Sequence, residues 1–294
     1  MPSYLTIGTY DGVHLGHRKI ITALIRESLK YRLRSALAYF PEPPKFFFSR
    51  ETENCLITLP EEREALFRGL GVGRISPIPF TAAVADMSAE KFFNSLILKK
   101  YRAEGLCVGR DFAIGKDRLG NLEFLRKRCA EAGVRLKTMT FTAFEGHKIS
   151  SSLIRSFLRN GHVEAAAECL GRPYSVAGTV IKGAGMGRLL GFPTANAGAD
   201  PAKILPPGVF AVRVRLGKEV FSGVANVGRR PTLRSLGGRM LLETHILDFD
   251  RDIYGRRLEV EFLRHLRAER RFGSRETLRQ QIAADVRAAR KHGL

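Results

Sequence analysis

The chain lacks several features that mark particular classes of protein. No apolar run approaches the roughly 20 residues that cross a bilayer, and the N-terminus has no basic, apolar and small-residue series of the kind that directs secretion. The four cysteines form no C-x-x-C pair and lie in no cluster with zinc-ligand spacing. Internal repeats and low-complexity segments are also absent. These absences predict a soluble, cytoplasmic protein with reduced thiols.

Length, composition and net charge indicate the number of domains and the kinds of partner that the protein could bind. The 294 residues suffice for two domains, and 44% hydrophobic with 27% charged residues is typical of globular chains. Lysine and arginine number 49 against 29 acidic residues, and the formal net charge of +20 is spread over both halves. Such a charge attracts polyanions, either nucleic acid or phosphorylated small molecules, and does not choose between them.

The first half alternates between strand-like and helical segments. A short apolar run at residues 4–8 ends in glycine, and apolar residues then recur at helical spacing from His17 to Arg32. Further strands are expected at 35–40, 75–78, 106–108 and 134–140, and further helices at 61–70, 89–98 and 122–132. The alternation predicts βαβ units around a parallel sheet, as in an α/β nucleotide-binding domain.

The second half has a different pattern. Two short helices are expected at 152–158 and 163–170, and residues 171–173 (GRP) then break the pattern, so we place a domain boundary between residues 172 and 173. β-rich runs with little helix between them follow at 174–182, 208–216, 220–227, 241–249 and 258–263. They predict a compact antiparallel barrel or sandwich, closed by one helix with Ser274 as its N-cap.

The segment at residues 8–17, GTYDGVHLGH, joins the first strand to the first helix. In an open parallel sheet this junction lies at the carboxyl ends of the strands, where the helix N-terminus offers N–H groups to a phosphate. His14 and His17 flank a glycine, and both could face the same phosphoryl oxygens and stabilise charge in an in-line displacement. The alternative is that the two histidines satisfy local backbone groups. Their position after the first strand favours the phosphate site.

A second candidate anion site follows the last strand of the same domain, at residues 148–155, KISSSLIR. Its hydroxyls, N–H groups and Arg155 lie where a helix opens. Taken alone, the cluster also fits an N-cap with a solvated basic residue. An early H-x-G-H loop and a late serine-rich loop together resemble the nucleotidyltransferase superfamily, whose members attack the α-phosphate of a nucleoside triphosphate.

Glycines are concentrated at the start of the β-rich half, at residues 183–196, GAGMGRLLGFPTAN. No G-K-[ST] follows them, so the segment is not a P-loop. Glycines allow backbone N–H groups to approach phosphates closely, and the Thr194 hydroxyl and Asn196 carbonyl are hard oxygen ligands that suit Mg²⁺. The alternative is a glycine-rich hairpin with ordinary turn residues.

Glu243 lies in a run, LETHILDF, that is otherwise typical of a strand. A carboxylate there could accept a proton from an alcohol that attacks ATP, although most strand glutamates face solvent. His245 shares its face, and we interpret it as support or surface rather than as a metal ligand.

In this order the motifs resemble those of the bacterial bifunctional riboflavin kinase/FAD synthetase family. The resemblance covers nearly the whole chain, through GTYDGVHLGH at 8–17, VGRDFAIG at 108–115, ISSSLIR at 149–155, GRLLGFPTAN at 187–196, NVGRRPT at 226–232, ETHILDF at 243–249 and DIYG at 252–255. It implies a Rossmann-like nucleotidyltransferase domain with a parallel sheet at residues 1–172. It further implies a six-stranded antiparallel riboflavin-kinase barrel with a C-terminal helix at residues 173–294.

The resemblance also implies activities and site residues. Members phosphorylate riboflavin with ATP to give FMN, then join FMN to the AMP part of a second ATP to give FAD and pyrophosphate. In the first domain the implied catalytic groups are His14, His17 and Arg155, with substrate contacts from Gly8, Asp11, Gly12, Asp111, Phe112, Ser150, Ser151 and Ser152. In the second domain the implied base is Glu243, the implied ligands of an Mg²⁺ carried by ATP are Thr194 and Asn196, and further contacts come from Gly183, Gly185, Gly187, Arg188, Gly191, Pro193 and Asn226. The expected partners are ATP, riboflavin and FMN, with no nucleic acid and no membrane.

Three positions in the first domain depart from the family pattern. Many relatives have a histidine between prolines in the loop after the second strand, where this chain has FPEPP at 40–44. Asn121 occupies a position that is often aspartate, and Tyr10 replaces the commoner phenylalanine. The first two departures bear on the affinity or rate of adenylylation.

Two alternatives stay open at this point. A chain that retains one activity, the kinase before the other, would form FMN without FAD. An RNA-binding relative is suggested by the net charge of +20 and by the likeness of H-x-G-H and KISSS to signatures of class I aminoacyl-tRNA synthetases. No anticodon-binding helical domain is evident in the sequence.

Overall fold

A computed structural model describes residues 1–49, 52–183, 185–229 and 240–291. Its contacts divide the chain into two compact units. The first consists of Met1–Thr52 and Ile57–Ser151, and the second consists of Glu53–Leu56 and Ser152–Leu294. The domain boundary between residues 172 and 173 stays a prediction.

The first unit contains a five-stranded parallel sheet in the order β3-β2-β1-β4-β5. Its strands are β1 (Ser3–Gly8), β2 (Arg34–Tyr39), β3 (Arg74–Pro77), β4 (Ala103–Gly109) and β5 (Arg135–Met139), and a hairpin follows with β6 (Ala143–Phe144) and β7 (His147–Lys148). Its helices are α1 (Leu15–Lys30), α2 (Pro44–Ser49), α3 (Pro60–Gly69), α4 (Ala82–Ala85), α5 (Ala89–Phe92) with a π-helical continuation (Phe93–Lys100), a 3₁₀ turn (Lys116–Arg118) and α6 (Leu122–Glu131). The chain changes direction across the sheet between β1 and β4, so the carboxyl ends of these two strands are the expected place for a ligand.

Apolar cores lie on both faces of this sheet. Leu5 and Ile7 of β1 face one core, to which the π-helical segment contributes Phe93. Tyr4 faces the other core, to which α1 contributes Leu24. Because both faces are covered, successive strand residues are buried, and the edge at the carboxyl ends is left to the loops that carry the motifs.

The second unit contains a closed barrel of six antiparallel strands in the order β10-β11-β12-β9-β8-β13. The strands are β8 (Tyr174–Ile181), β9 (Ala195–Ala199), β10 (Gly208–Leu216), β11 (Glu219–Arg229), β12 (Met240–Ile246) and β13 (Arg257–Arg267). The helices are α7 (Ser151–Arg159), which begins at the last residue of the first unit, α8 (Val163–Leu170), α9 (Met186–Leu189) and α10 (Arg275–Arg290). Ser274 is the N-cap of α10, whose Ala289 packs against Val209 and Ala211 of β10.

The parallel sheet, the six-stranded barrel and the closing helix confirm the fold class that the sequence predicts. The sequence pattern does not predict β9 or the short helices α2, α4 and α9. β9 has the sequence ANAGA and contains no β-branched or aromatic residue, so it carries no strand propensity of its own. Its pairing with β8 and β12 makes it a strand.

Candidate active sites

The loop between β1 and α1, called here the histidine loop (residues 8–17), holds two stacked imidazole rings. His14 is the N-cap of α1, and its Nδ1 accepts a hydrogen bond from the main-chain N–H of His17 at 3.3 Å. The ring centroids are 3.5 Å apart and the ring planes differ by 19°. A ring nitrogen that accepts carries no proton, so a neutral His14 has its proton on Nε2. Nδ1 of His14 therefore performs the alternative role of satisfying a local backbone group.

The backbone of the histidine loop is strained. Tyr10, Gly12 and Val13 have φ angles of 53°, 88° and 42°, a region that is unfavourable for a β-branched residue such as Val13. A Cβ on Gly8 would come within 2.9 Å of the Tyr10 ring. The Tyr10 hydroxyl bonds to Thr6 Oγ1, and burial raises the pKa of Tyr10 far above its usual range, so the group stays neutral. Such a loop keeps its shape only where buried contacts fix it.

Asp11 provides several of these buried contacts. It is fully buried, and its carboxylate accepts hydrogen bonds from Ile57 N at 3.1 Å, Thr58 N at 2.9 Å and Thr58 Oγ1 at 3.0 Å. Thr58 Oγ1 also accepts from the main-chain N–H of Gly12 at 2.8 Å. Asp11 is thus an anchor of the histidine loop. A direct contact of Asp11 or Gly12 with a nucleotide stays a prediction.

The serine-rich segment meets the histidine loop at Ser151. Its Oγ donates to the main-chain oxygen of Asp11 at 2.8 Å, so the early and late motifs are in contact within the first unit. Arg155 belongs to the second unit, where it is buried and its Nε donates to the main-chain oxygen of Cys55 at 2.7 Å. Substrate contacts stay a prediction for the other members of the motif, Ser150, Ser152 and Arg155.

The loop after β4 also lies at the carboxyl edge of the sheet, next to β1. The exposed carboxylate of Asp111 pairs with Lys148 Nζ, which links this loop to the start of the serine-rich motif. Arg118 donates to the main-chain oxygen of Asp111 at 2.7 Å. Phe112 is partly buried against the apolar core on this side of the sheet. A contact of Asp111 or Phe112 with substrate stays a prediction.

A residue that the sequence does not single out holds the loop after β2. Arg63 of α3 is fully buried, and its Nη1 donates to the main-chain oxygens of Thr9 at 2.9 Å and Phe40 at 3.0 Å. Its Nη2 donates to the main-chain oxygen of Pro41. Arg63 lies in the charged run EEREALFR, which is typical of a solvated helix face, so no local pattern marks it.

Asn121, another departure from the family pattern, is the N-cap of α6. Its Oδ1 accepts from the main-chain N–H of Phe124 at 3.0 Å. Asparagine and aspartate are both strong N-caps, so either residue preserves the start of this helix.

Three polar residues of the second unit form a row across the barrel wall, called here the polar row. The register places Asn226 of β11 opposite Glu243 of β12, and Glu243 opposite Asn196 of β9. Residues directly opposite one another on antiparallel strands lie on one face with Cβ atoms about 5 Å apart. The pairing therefore brings together one predicted base, one predicted metal ligand and one predicted binding residue.

The glycine-rich segment connects the antiparallel strands β8 and β9, as the alternative hairpin requires, and it contains a one-turn helix. The helix, α9, contains the exposed residue Arg188 and is flanked by Gly185 and Gly191, whose φ angles are 72° and 83°. Both glycines adopt the left-handed conformation that other residues rarely accept.

Two other glycines allow a close approach to the oxygen donors. A Cβ on Gly183 would overlap the side chain of Asn196. A Cβ on Gly187 would overlap the main-chain oxygen of Phe192 and lie 3.2 Å from Thr194 Oγ1. The segment thus packs against the two side chains that the sequence predicts as Mg²⁺ ligands.

His245 supports the chain that leads to Thr194. Its Nδ1 lies 2.8 Å from the main-chain oxygen of Pro193, so the ring donates there, and the Phe192 ring meets it edge-on at a centroid distance of 5.5 Å. The geometry agrees with its interpretation as a supporting residue.

The side-chain oxygens of Thr194 and of Asn196 in the polar row suit a metal ion that binds together with the phosphates of ATP. Thr194 and Asn196 offer neutral oxygen atoms, which Mg²⁺ accepts when substrate phosphates supply the negative charge. Across residues 1–49, 52–183, 185–229 and 240–291, no group of three His, Cys, Asp or Glu side chains is arranged to hold a metal ion.

A parallel sheet with a histidine loop, followed by a closed barrel with a carboxylate between two amides, defines a two-part nucleotide-using enzyme. A family model described as FAD synthetase matches residues 1–153, and one described as Riboflavin kinase matches residues 170–292. The chain is 36% identical to the bifunctional riboflavin kinase/FMN adenylyltransferase of Pseudomonas fluorescens, over 97% of this chain and 91% of the relative. It is also 36% identical to that of Escherichia coli (strain K12), over 98% and 91%. The chain belongs to the family of bifunctional riboflavin kinase/FMN adenylyltransferases.

A solved structure is similar over nearly the whole length. The crystal structure described as a macrolide-efflux protein from Streptococcus pneumoniae has a TM-score of 0.88 and 28% identity, covering 98% of this chain and 94% of that chain. In the part of this chain that the structure describes, every helix is too short or too polar to cross a membrane. The two family models together account for both halves of the chain as enzyme modules.

Proposed function

We propose that the two sites divide the two activities of the family, riboflavin kinase and FMN adenylyltransferase, between the two units. The observation that carries this assignment is the polar row, because it places a carboxylate between two amides beside a glycine-rich turn in the unit that matches riboflavin kinase. The histidine loop lies at the switch point of the sheet in the unit that matches FAD synthetase.

In the barrel, Glu243 is the general base. It accepts the proton of the riboflavin 5′-hydroxyl while that oxygen forms a bond to the γ-phosphorus of ATP and the bond from this phosphorus to the β–γ bridging oxygen breaks, so that ADP leaves. Asn226 and Asn196 orient the carboxylate from the neighbouring strands. Thr194 and Asn196 would hold Mg²⁺, which neutralises phosphate charge when it is bound. Main-chain N–H groups of the segment from Gly183 to Gly191 bind the phosphates.

In the first unit, the histidine loop binds the triphosphate of a second ATP. A phosphate oxygen of FMN attacks the α-phosphorus, and the bond from this phosphorus to the α–β bridging oxygen breaks, so that pyrophosphate leaves. His14, through Nε2–H, and His17 stabilise the charge that develops on the phosphoryl oxygens, with the N-terminus of α1. Positioning and charge supply the rate, and no covalent enzyme intermediate forms.

The remaining properties follow from this chemistry. ATP, riboflavin and FMN are the partners, Mg²⁺ is the ion that accompanies ATP, and the enzyme works in the cytoplasm without nucleic acid or membrane. Arg155 acts on the nucleotide, in addition to its hydrogen bond to the main-chain oxygen of Cys55.

One incubation tests the assignment of both activities. Purified protein is mixed with riboflavin, ATP and Mg²⁺, and the flavins are separated by chromatography over time. The proposal expects FMN first and FAD after it, together with ADP and pyrophosphate. FMN without FAD would favour the second candidate, a chain that retains the kinase alone, which the FPEPP sequence at residues 40–44 keeps open. Absence of both products would overturn the proposal.

A further inference from the structure

The core of the first unit completely encloses a charged side chain, that of Arg63. Arg63 is the largest fully buried side chain of the described residues, with 0% exposure. An arginine is almost never buried to this degree without a specific set of acceptors, because its charge must be compensated by hydrogen bonds. The hydrogen-bond acceptors of Arg63 therefore indicate its role.

Those acceptors belong to two different loops at the carboxyl edge of the sheet. Thr9 is the first residue after β1 and lies in the histidine loop, while Phe40 and Pro41 begin the loop after β2. Arg63 Nη1 bonds to the carbonyls of Thr9 and Phe40, and Nη2 bonds to that of Pro41. The guanidinium lies with its centre 5.5 Å from the Tyr39 ring centroid, which fixes the orientation of the planar group. One side chain thus sets the separation of the two loops.

The histidine loop needs such an external support. Its residues Tyr10 and Val13 are held at positive φ, a conformation that their side chains disfavour. Asp11 and Thr58 fix the middle of this loop, and Arg63 fixes its start at Thr9. His14, at the other end of the same loop, carries its ring into the stack with His17.

We propose that Arg63 is a positioning residue for FMN adenylylation, which aligns the His14–His17 pair by holding the loops after β1 and β2 at a fixed separation. The inference rests on the proposed role of the histidine loop. Arg63 touches neither substrate, since it is enclosed, and acts through the carbonyls of Thr9, Phe40 and Pro41. A lysine cannot replace it, because a single ammonium group lacks the planar fork that reaches carbonyls on two loops.

The test compares Arg63→Met and Arg63→Lys with Arg68→Met, in the full-length chain. Arg68 lies on the same helix but is exposed and pairs with Glu64 at 2.6 Å, so its variant controls for loss of an α3 arginine. FAD formation from supplied FMN and ATP is measured as kcat and KM, and FMN formation from riboflavin is measured in the same samples. We expect Arg63→Met to lower the kcat of FAD formation by about a hundredfold and Arg63→Lys by about tenfold, because small displacements of reacting groups have effects of this size. KM for ATP and the kinase rate should change little, and Arg68→Met should match the parent protein.

Two results would overturn the inference. One is an unchanged kcat for FAD formation in a folded Arg63→Met or Arg63→Lys variant. The other is a parallel loss of both activities in Arg63→Lys, which would reveal a general structural role. If Arg63→Met does not fold, Arg63→Lys carries the same comparison, since it keeps the charge and much of the volume. His17→Ala is assayed alongside: if it retains FAD formation, the histidine-loop site itself is wrong, whatever the Arg63 variants show.

Discussion

The two units build their candidate sites by different physical means. In the barrel, the polar row follows from strand register, so hydrogen bonds between neighbouring backbones fix which residues lie opposite Glu243. In the first unit, the histidine loop has an unfavourable backbone that is held by Thr58 and Arg63, which lie about 50 residues further along the chain. A barrel site of this kind should be damaged mainly by changes in its own side chains. The loop site should be damaged by changes far from the reacting atoms as well.

The largest expected effect is on the base of the barrel site. Glu243→Gln keeps the shape of the side chain but removes its ability to accept a proton, so FMN formation should fall by about 10² to 10⁴. Conversion of supplied FMN to FAD should not change. The rates of FMN and FAD formation are measured by chromatography of the flavins. Glu219→Gln is the matched control, because Glu219 is a glutamate of the adjacent strand that pairs with Arg251 at 2.8 Å on the surface. A Glu243→Gln protein with full kinase activity would remove the base from the mechanism.

The complementary change is made in the histidine loop. His17→Ala removes one donor to the phosphoryl oxygens, so FAD formation should fall by about 10² to 10³ while FMN formation is spared. Both rates are measured in one preparation. Loss of both reactions in a folded His17→Ala or Glu243→Gln protein would mean that the two chemistries do not occupy separate units.

A smaller effect is expected where the glycine-rich turn approaches the polar row. In Gly183→Ala the added methyl group would displace the Asn196 side chain, so KM for ATP in the kinase reaction should rise by about tenfold, the cost of roughly one displaced hydrogen-bonding ligand. Gly273→Ala is the control, since a Cβ there has no neighbour within 4 Å. The KM of FAD formation should be unchanged in both variants. If KM for ATP in the kinase reaction of Gly183→Ala equals that of the parent protein, a methyl group at residue 183 does not displace the Asn196 side chain.

The two sites also differ in how far the sequence predicts them. Local patterns predict the barrel well: the run expected at 208–216 is β10 (Gly208–Leu216), and alternating apolar residues mark its neighbours. β9 is the exception, because its small residues have no propensity and only its partners make it a strand. In the first unit the H-x-G-H spacing is a local signal, and it identifies the loop. The supports at Thr58 and Arg63 leave no local signal, since their role arises from tertiary contacts.

Alkaline pH should destabilise the first unit through two buried thiols. Burial raises the pKa of Cys107 to about 12 and that of Cys129 to about 11, from an ordinary value of 9.0. A group whose pKa is raised on folding contributes fully below its unfolded pKa, and this contribution is lost as the pH rises through the folded value. The free energy of unfolding of the first unit should therefore fall from about pH 9 to pH 11, by about 1.4 kcal/mol per pH unit for each thiol.

The measurement for this effect is the urea concentration that abolishes FAD formation after incubation at pH 8, 9 and 10, with the assay at neutral pH. FAD formation should be abolished at lower urea concentrations as the pH rises. In Cys107→Ala this urea concentration should fall less steeply with pH, because one ionising group has been removed. Equal slopes in Cys107→Ala and the parent protein would contradict the role of burial.

The smallest effect is expected at Asn121, where this chain departs from the family pattern. It tests whether the site of the first unit extends to the start of α6. Asn121→Asp keeps the N-cap of α6 and adds a negative charge at a helix N-terminus, so the first unit should gain a few tenths of a kcal/mol, about 0.3, while Asn121→Ala should lose about 1 kcal/mol. Because the Asn121 side chain accepts the hydrogen bond of Phe124 N–H, neither variant should change the kcat of FAD formation by more than about twofold. Thermal melting and the FAD assay measure the two quantities. If Asn121→Asp instead raises FAD formation several-fold without a change in melting, Asn121 acts on substrate, and the site of the first unit then includes the start of α6.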